Sequence, residues 1–220
     1  MSTVVLIHGG LWDDDMNADR FWRRPGIVTG LERHGIEVLA PDRPARAPGW
    51  AAEADQLAAV LPDRPIILVG GSNGCSTAVR LALAWPERVA RLLLAWPATA
   101  GDPDVDARTR QGLADLGAAP QIADALLAGQ TLRGLSDDEL AEIKAPVGVL
   151  PSVPENPMHQ RRTVDALLRI LPDAVELPGC PEPPRPEFTA EAFVAGFSVW
   201  ALPSPSRSGS PGPYPPLRPR

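Results

Sequence analysis

The chain has 220 residues, 44% of them apolar and 22% charged, and a net charge of −6; that length and composition suit one soluble domain, or one domain plus a tail. The acidic balance argues against nucleic acid or an anionic membrane surface as the main partner. Two cysteines, Cys75 and Cys180, do not make a disulfide framework, and no apolar run reaches the roughly 18 residues of a membrane span.

The chain enters a strand pattern almost at once. Residues 3–8 are the first apolar run and end in His8-Gly9-Gly10. No basic segment followed by a signal-type apolar region precedes them, which reads as a cytoplasmic protein. Pro25 opens a helix that stops at Gly35, a proline-start and glycine-stop pair. A second strand over residues 37–41 and a helix over 51–61, ended by Pro62, follow. Residues 66–70 then give a third strand, leading into Gly70-Gly71-Ser72-Asn73-Gly74 and a helix that runs to Trp85 before Pro86. A fourth strand covers 91–95.

Residues 99–144 interrupt this rhythm. They look helical, with Ser136-Asp137-Asp138-Glu139 as a capping box, and are read as a small helical cap inserted between two strands. A strand over 147–150 resumes the alternation. Val164, Leu167, Leu168 and Leu171 then form one apolar stripe at i, i+3, i+4, i+7 before Pro172. The last strand covers 174–177. Thr189 can cap a final helix, with Phe188 and Phe193 as a hydrophobic staple, and Phe193, Phe197 and Trp200 share one face. The strands are rich in Val, Ile and Leu, as expected where both faces are covered. The expected fold is α/β: a mostly parallel sheet of about six strands with helices on both faces and a small cap. Residues 202–220 hold seven prolines, four serines and three arginines. They cannot bury a core and are expected to form a disordered tail after a domain at 1–201.

The chemistry centres on G-x-S-x-G in strand–turn–helix context, the layout of a nucleophile elbow. The glycines two residues to either side of Ser72 let neighbouring backbones approach closely, and the following helix aims its positive N-terminus at the site. With Val5-Leu6-Ile7-His8-Gly9-Gly10, Ala40-Pro41-Asp42 and Trp85-Pro86-Glu87-Arg88-Val89, the chain resembles the α/β-hydrolase family over roughly residues 3–200. It is similar to a compact member without the opening antiparallel strands. The resemblance implies Ser72 as nucleophile, the backbone N–H groups of Gly10 and Asn73 as the oxyanion hole, and His8 as a structural histidine. It places the acid after the strand that follows the cap. Glu155 stands there, with Asp102 a weaker alternative.

The resemblance also calls for a histidine after the last strand. That stretch reads Pro178-Gly179-Cys180-Pro181-Glu182-Pro183-Pro184-Arg185-Pro186 and holds none. Glu182 stands in its place, and a carboxylate with an ordinary pKa of about 4.3 is a poorer base for serine than imidazole at about 6.5. Of the three histidines, His34 lies at a helix end, where a cation suits the macrodipole. His159 follows Glu155 by four residues, on the rim where strand C-terminal ends converge. It is the one plausible histidine base, oriented by Glu155; a buried Glu182 with a strongly shifted pKa is the alternative. Cys75 reads as a small residue packing helix to sheet. No metal-ligand spacing appears, and no dinucleotide or phosphate loop fits, so no cofactor is expected.

Three readings follow. The first is a serine hydrolase, esterase-like, acting on a small ester, thioester or amide with an atypical triad. The second is a hydrolase-fold protein without serine chemistry that binds a small apolar ligand between sheet and cap. The third is a cofactor-free lyase on the same scaffold. All three take a small molecule as partner, and the Leu, Ile and Ala of the cap imply that it is partly apolar.

Overall fold

A computed structural model describes residues 3–201. The expected tail at 202–220 lies outside the described residues. Six strands form one all-parallel sheet: β1 (Thr3–Ile7), β2 (Glu37–Leu39), β3 (Ile66–Gly71), β4 (Val89–Ala95), β5 (Val147–Leu150) and β6 (Ala174–Glu176), in the order β2-β1-β3-β4-β5-β6. Every residue of β1, β3 and β5 is buried, which is why these runs, Thr3 apart, are apolar rather than alternating. The register sets Val5 beside Leu68, Leu68 beside Leu92, and Leu94 beside Val149.

Helices cover both faces. On one side α2 (Trp50–Ala58), α3 (Gly74–Ala84) and α7 (Arg161–Ile170) pack Leu57, Val79, Leu81, Val164 and Leu167 against Leu68, Leu92 and Val149. On the other, a π-helical turn at Asp19–Arg23, α1 (Ile27–Glu32) and α8 (Ala190–Ala201) bring Trp22, Ile27, Leu31, Phe193 and Phe197 onto Leu6, Val69 and Trp96. Trp96 and Phe193 stand 5.5 Å apart between centroids. Offset aromatic contacts of this kind add to area burial. The π-helical turn has no sequence signal beyond its two aromatics. The helix expected from Pro25 to Gly35 is shorter, because Gly26 at φ 88° delays its start.

Between β4 and β5 the chain forms α4 (Pro103–Asp115), α5 (Pro120–Leu127) and α6 (Asp137–Ala141). The Ser136 capping box is present, with the Ser136 hydroxyl on the Glu139 N–H and the Glu139 carboxylate on the Ser136 N–H. The insertion has two parts. Leu113, Ala123, Leu126 and Leu127 of α4 and α5 gather with Trp50 in a cluster of their own, whereas Leu132, Leu135, Leu140 and Ile143 join the main core. No helix among the described residues is long and apolar enough to cross a membrane.

Strand order reverses between β1 and β3: the chain leaves β1 toward β2 on one side and builds β3 to β6 on the other. The segments following β1 and β3 therefore lie side by side. In open α/β sheets this crevice is where ligands bind.

Candidate active site

The turn after β3 carries Ser72 at φ 52°. A non-glycine residue in the left-handed region is strained and persists where its surroundings enforce it. Here the Ser72 N–H donates to the Ala95 carbonyl at 2.9 Å, and the Ser72 carbonyl accepts from the Cys75 N–H at 3.0 Å. The flanking glycines allow the turn. A Cβ at Gly70 would lie 2.6 Å from the Gly74 carbonyl oxygen, and one at Gly74 would lie 2.5 Å from the carbonyl oxygens of Ile7 and His8. Only backbone without side chains passes there.

His159 reaches Ser72 from the loop between β5 and α7. Its Nε2 lies 2.9 Å from Ser72 Oγ. The backbone on both sides of this histidine is tied to one buried residue, since the Thr99 N–H donates to the Met158 carbonyl at 2.8 Å and the Gln160 N–H donates to Thr99 Oγ1 at 2.9 Å. Thr99 follows β4, so three consecutive strand ends fix the serine–histidine pair.

The carboxylate facing the other imidazole nitrogen belongs to Glu182. Its Oε1 lies 3.5 Å from His159 Nδ1. The loops after β5 and β6 run together through a bridge between Ser152 and Cys180, with the Val153 N–H donating to the Cys180 carbonyl at 3.2 Å. The Trp96 indole N–H also donates to that carbonyl, at 3.0 Å. Glu182, two residues further on, is thus delivered to His159. Asn156 Nδ2 donates to Glu182 Oε1 at 2.7 Å and lies 3.2 Å from His159 Nδ1. The orientation of this amide follows from its Oδ1 accepting the Met158 N–H at 2.9 Å. The Ser152 hydroxyl donates to Glu182 Oε2 and Arg185 Nε donates to Oε1. Burial alone would raise the Glu182 pKa; the hydrogen bonds from His159, Ser152, its own amide and Arg185 outweigh it and hold the group at about 2. Glu182 is therefore a carboxylate at any physiological pH.

Glu155, the acid expected beside His159, is elsewhere. It is exposed, and its carboxylate accepts the Arg161 N–H at 2.6 Å. It satisfies an otherwise free donor at the start of α7. Asp102 caps α4, accepting from the N–H groups of Asp104 and Val105 at 3.0 and 3.1 Å. The histidine that meets Ser72 thus follows β5 and the carboxylate that meets this histidine follows β6, the reverse of the order that the resemblance implied. The only signal in the sequence was the coincidence of a histidine in one loop with a glutamate in the other. Asn156, Thr99 and Ser152 carried none.

His8, Gly9 and Gly10 border the site after β1. The His8 Nδ1–H donates to the Gly9 carbonyl at 2.7 Å, and Nε2 accepts the Arg43 N–H at 2.9 Å. Burial, and then the Arg43 charge, pull its pKa down to about 4, so it is neutral and structural. His34 is exposed and bonds the Gly30 carbonyl. Cys75 is fully buried, with its thiol on the Gly70 carbonyl at 3.2 Å; burial pushes its pKa up, which keeps it an unreactive thiol. Among the described residues, the N–H groups of Gly10 and Asn73 have no hydrogen-bond partner, and no three His, Cys, Asp or Glu side chains gather to hold a metal ion.

A model of the alpha/beta hydrolase family matches residues 4–205, and the chain belongs to that family. A search of the curated proteins finds no match to the sequence. Solved structures that resemble it include a meta-cleavage product hydrolase from Pseudomonas fluorescens, at 17% identity with 83% of each chain covered and a TM-score of 0.60. A thermophilic esterase from Thermogutta terrifontis is similar at 19% identity, covering 83% of this chain and 82% of that one, with a TM-score of 0.61. An extracellular alpha/beta-hydrolase from a Paenibacillus species matches at 16% identity, covering 89% and 99%, with a TM-score of 0.61. At these identities the likeness carries the fold and no further inference about substrate.

Proposed function

We propose that this chain is a serine hydrolase of small esters, thioesters or amides, working through Ser72, His159 and Glu182. The observation that carries the reading is the continuous contact from Ser72 Oγ to His159 Nε2 at 2.9 Å and from His159 Nδ1 to Glu182 Oε1 at 3.5 Å. Nucleophile, base and orienting acid stand in the required order in space, although acid and base have exchanged places along the chain. A triad is recognised by geometry and roles, not by sequence position.

In this reading Ser72 Oγ attacks the substrate carbonyl carbon while His159 Nε2 takes the hydroxyl proton. Negative charge moves onto the carbonyl oxygen, where the N–H groups of Gly10 and Asn73 receive it. The Glu182 carboxylate faces the Nδ1 side of the ring and stabilises the imidazolium that forms. Collapse of the intermediate breaks the bond to the leaving alcohol, thiol or amine, which departs with the proton from His159 Nε2. Water then attacks the acyl-serine with His159 again as base, and the acid leaves with Ser72 restored. No cofactor is required for this sequence.

A fluorophosphonate probe tests the proposal. It is expected to label the wild-type protein at Ser72, and labelling is expected to vanish in Ser72→Ala and in His159→Ala. A folded wild-type protein that takes up no probe would return the chain to the binding-protein reading.

A further inference from the structure

Arg43 lies in the loop after β2 and is 9% exposed. Its Nη1 donates to three successive carbonyls, those of His8 at 3.0 Å, Gly9 at 3.1 Å and Gly10 at 2.8 Å. Its other two nitrogens form a fork on Glu53 of α2, Nε to Oε1 at 2.6 Å and Nη2 to Oε2 at 3.0 Å. The Thr77 hydroxyl of α3 closes the network on Glu53 Oε1. The Arg43 N–H meanwhile holds His8 Nε2. One guanidinium and one backbone N–H therefore hold the whole turn after β1.

In a trans peptide the C=O of one residue and the N–H of the next point in opposite directions. The Gly9 carbonyl faces Arg43 and the His8 ring, so the Gly10 N–H faces away from both. On its other side this turn abuts the nucleophile: a Cβ at Gly9 would lie 3.0 Å from the Ser72 Cβ. Gly10 has φ 83°, a conformation the chain adopts at low cost only with glycine. We infer that Arg43 is a positioning residue for catalysis, which aims the Gly10 N–H at the oxyanion by holding the three carbonyls of the turn, that of Gly9 together with the His8 ring. The guanidinium suits this task because its planar fork reaches Glu53 and the carbonyls at once, which an ammonium cannot. Glu53 orients Arg43 and balances its charge.

This inference rests on the hydrolase reading, and the experiment separates the two. The substrate is p-nitrophenyl acetate, and Ser72 labelling is followed in parallel. Removing one oxyanion donor costs about 100- to 1,000-fold in kcat in serine hydrolases generally, so Arg43→Lys is expected to lose about 30-fold or more in kcat, with KM within about threefold. Because Arg43→Met alone strands a buried carboxylate, the double variant Arg43→Met/Glu53→Met removes both charges together. It is expected to melt cooperatively with about 100-fold lower kcat. A merely structural role would lower the melting temperature of these variants and leave kcat of the folded fraction unchanged. Either Arg43→Lys or the folded double variant with wild-type kcat overturns the inference while the hydrolase reading stands. A wild-type protein with neither turnover nor Ser72 labelling overturns both.

Discussion

Replacing Glu182 by glutamine leaves the side chain's shape and removes its charge. The structure sets the size of the effect. Unit charges 3.5 Å apart attract by about 5 kcal/mol at an effective dielectric near 20. Arg185 at 2.8 Å and Asn156 at 2.7 Å already draw on the same Oε1, which reduces what the developing imidazolium receives to about 3–4 kcal/mol. At about 1.4 kcal/mol per decade this predicts a loss of about 100- to 1,000-fold in kcat for Glu182→Gln. Glu155→Gln removes only a cap at the start of α7. It is expected to hold kcat within about twofold and to cost about 0.5–1 kcal/mol of stability. Initial rates on p-nitrophenyl acetate with urea melts of the same preparations measure both quantities. If Glu155→Gln lost the activity and Glu182→Gln kept it, the acid would be the one on the same loop as His159, and the exchanged arrangement would be refuted.

Two further outcomes are expected. His8 is held neutral with its pKa lowered from 6.5 to about 4. The unfolded chain therefore binds the extra proton first: stability is full above about pH 6.5 and falls as pH drops towards 4, by up to about 3 kcal/mol. Urea melts between pH 7 and 4.5 should show this slope in the wild type and a flatter one in His8→Gln; equal slopes would remove His8 as the cause. Gly74→Ala would put a methyl group 2.5 Å from two backbone oxygens and is expected to cost about 3 kcal/mol or more. Gly112→Ala on α4, where nothing lies within 4 Å, is expected to stabilise the protein by about 0.5–1 kcal/mol. Comparable melting temperatures for the two alanine variants would contradict the close-approach argument.

The elbow was legible because its constraints are local. Gly70 and Gly74 are set by backbone atoms they nearly touch, and Ser72 sits between them by chain connectivity. The strands were legible because burial on both faces leaves an apolar run that needs no knowledge of its neighbours. The reading of His8 as structural came from the resemblance of its His-Gly motif to that of the family. The π-helical turn at Asp19–Arg23 was not, since two aromatics on a short segment fit several backbones equally well.

The partner of His159 lay beyond local reasoning. Glu155 is close to it along the chain and exposed in space; Glu182 is 23 positions away and hydrogen-bonded around it. Nothing between residues 159 and 182 records that Ser152 pairs with Cys180, or that Trp96 holds the Cys180 carbonyl. The same holds for Arg43, whose three carbonyl partners lie more than 30 residues earlier. The sequence by itself determined the parallel α/β scaffold and the tight turn that carries Ser72, because periodicity and close backbone approach act over a few residues. Which carboxylate meets which histidine was decided by the tertiary structure alone, because that pairing depends on where separate strands end beside one another in the sheet.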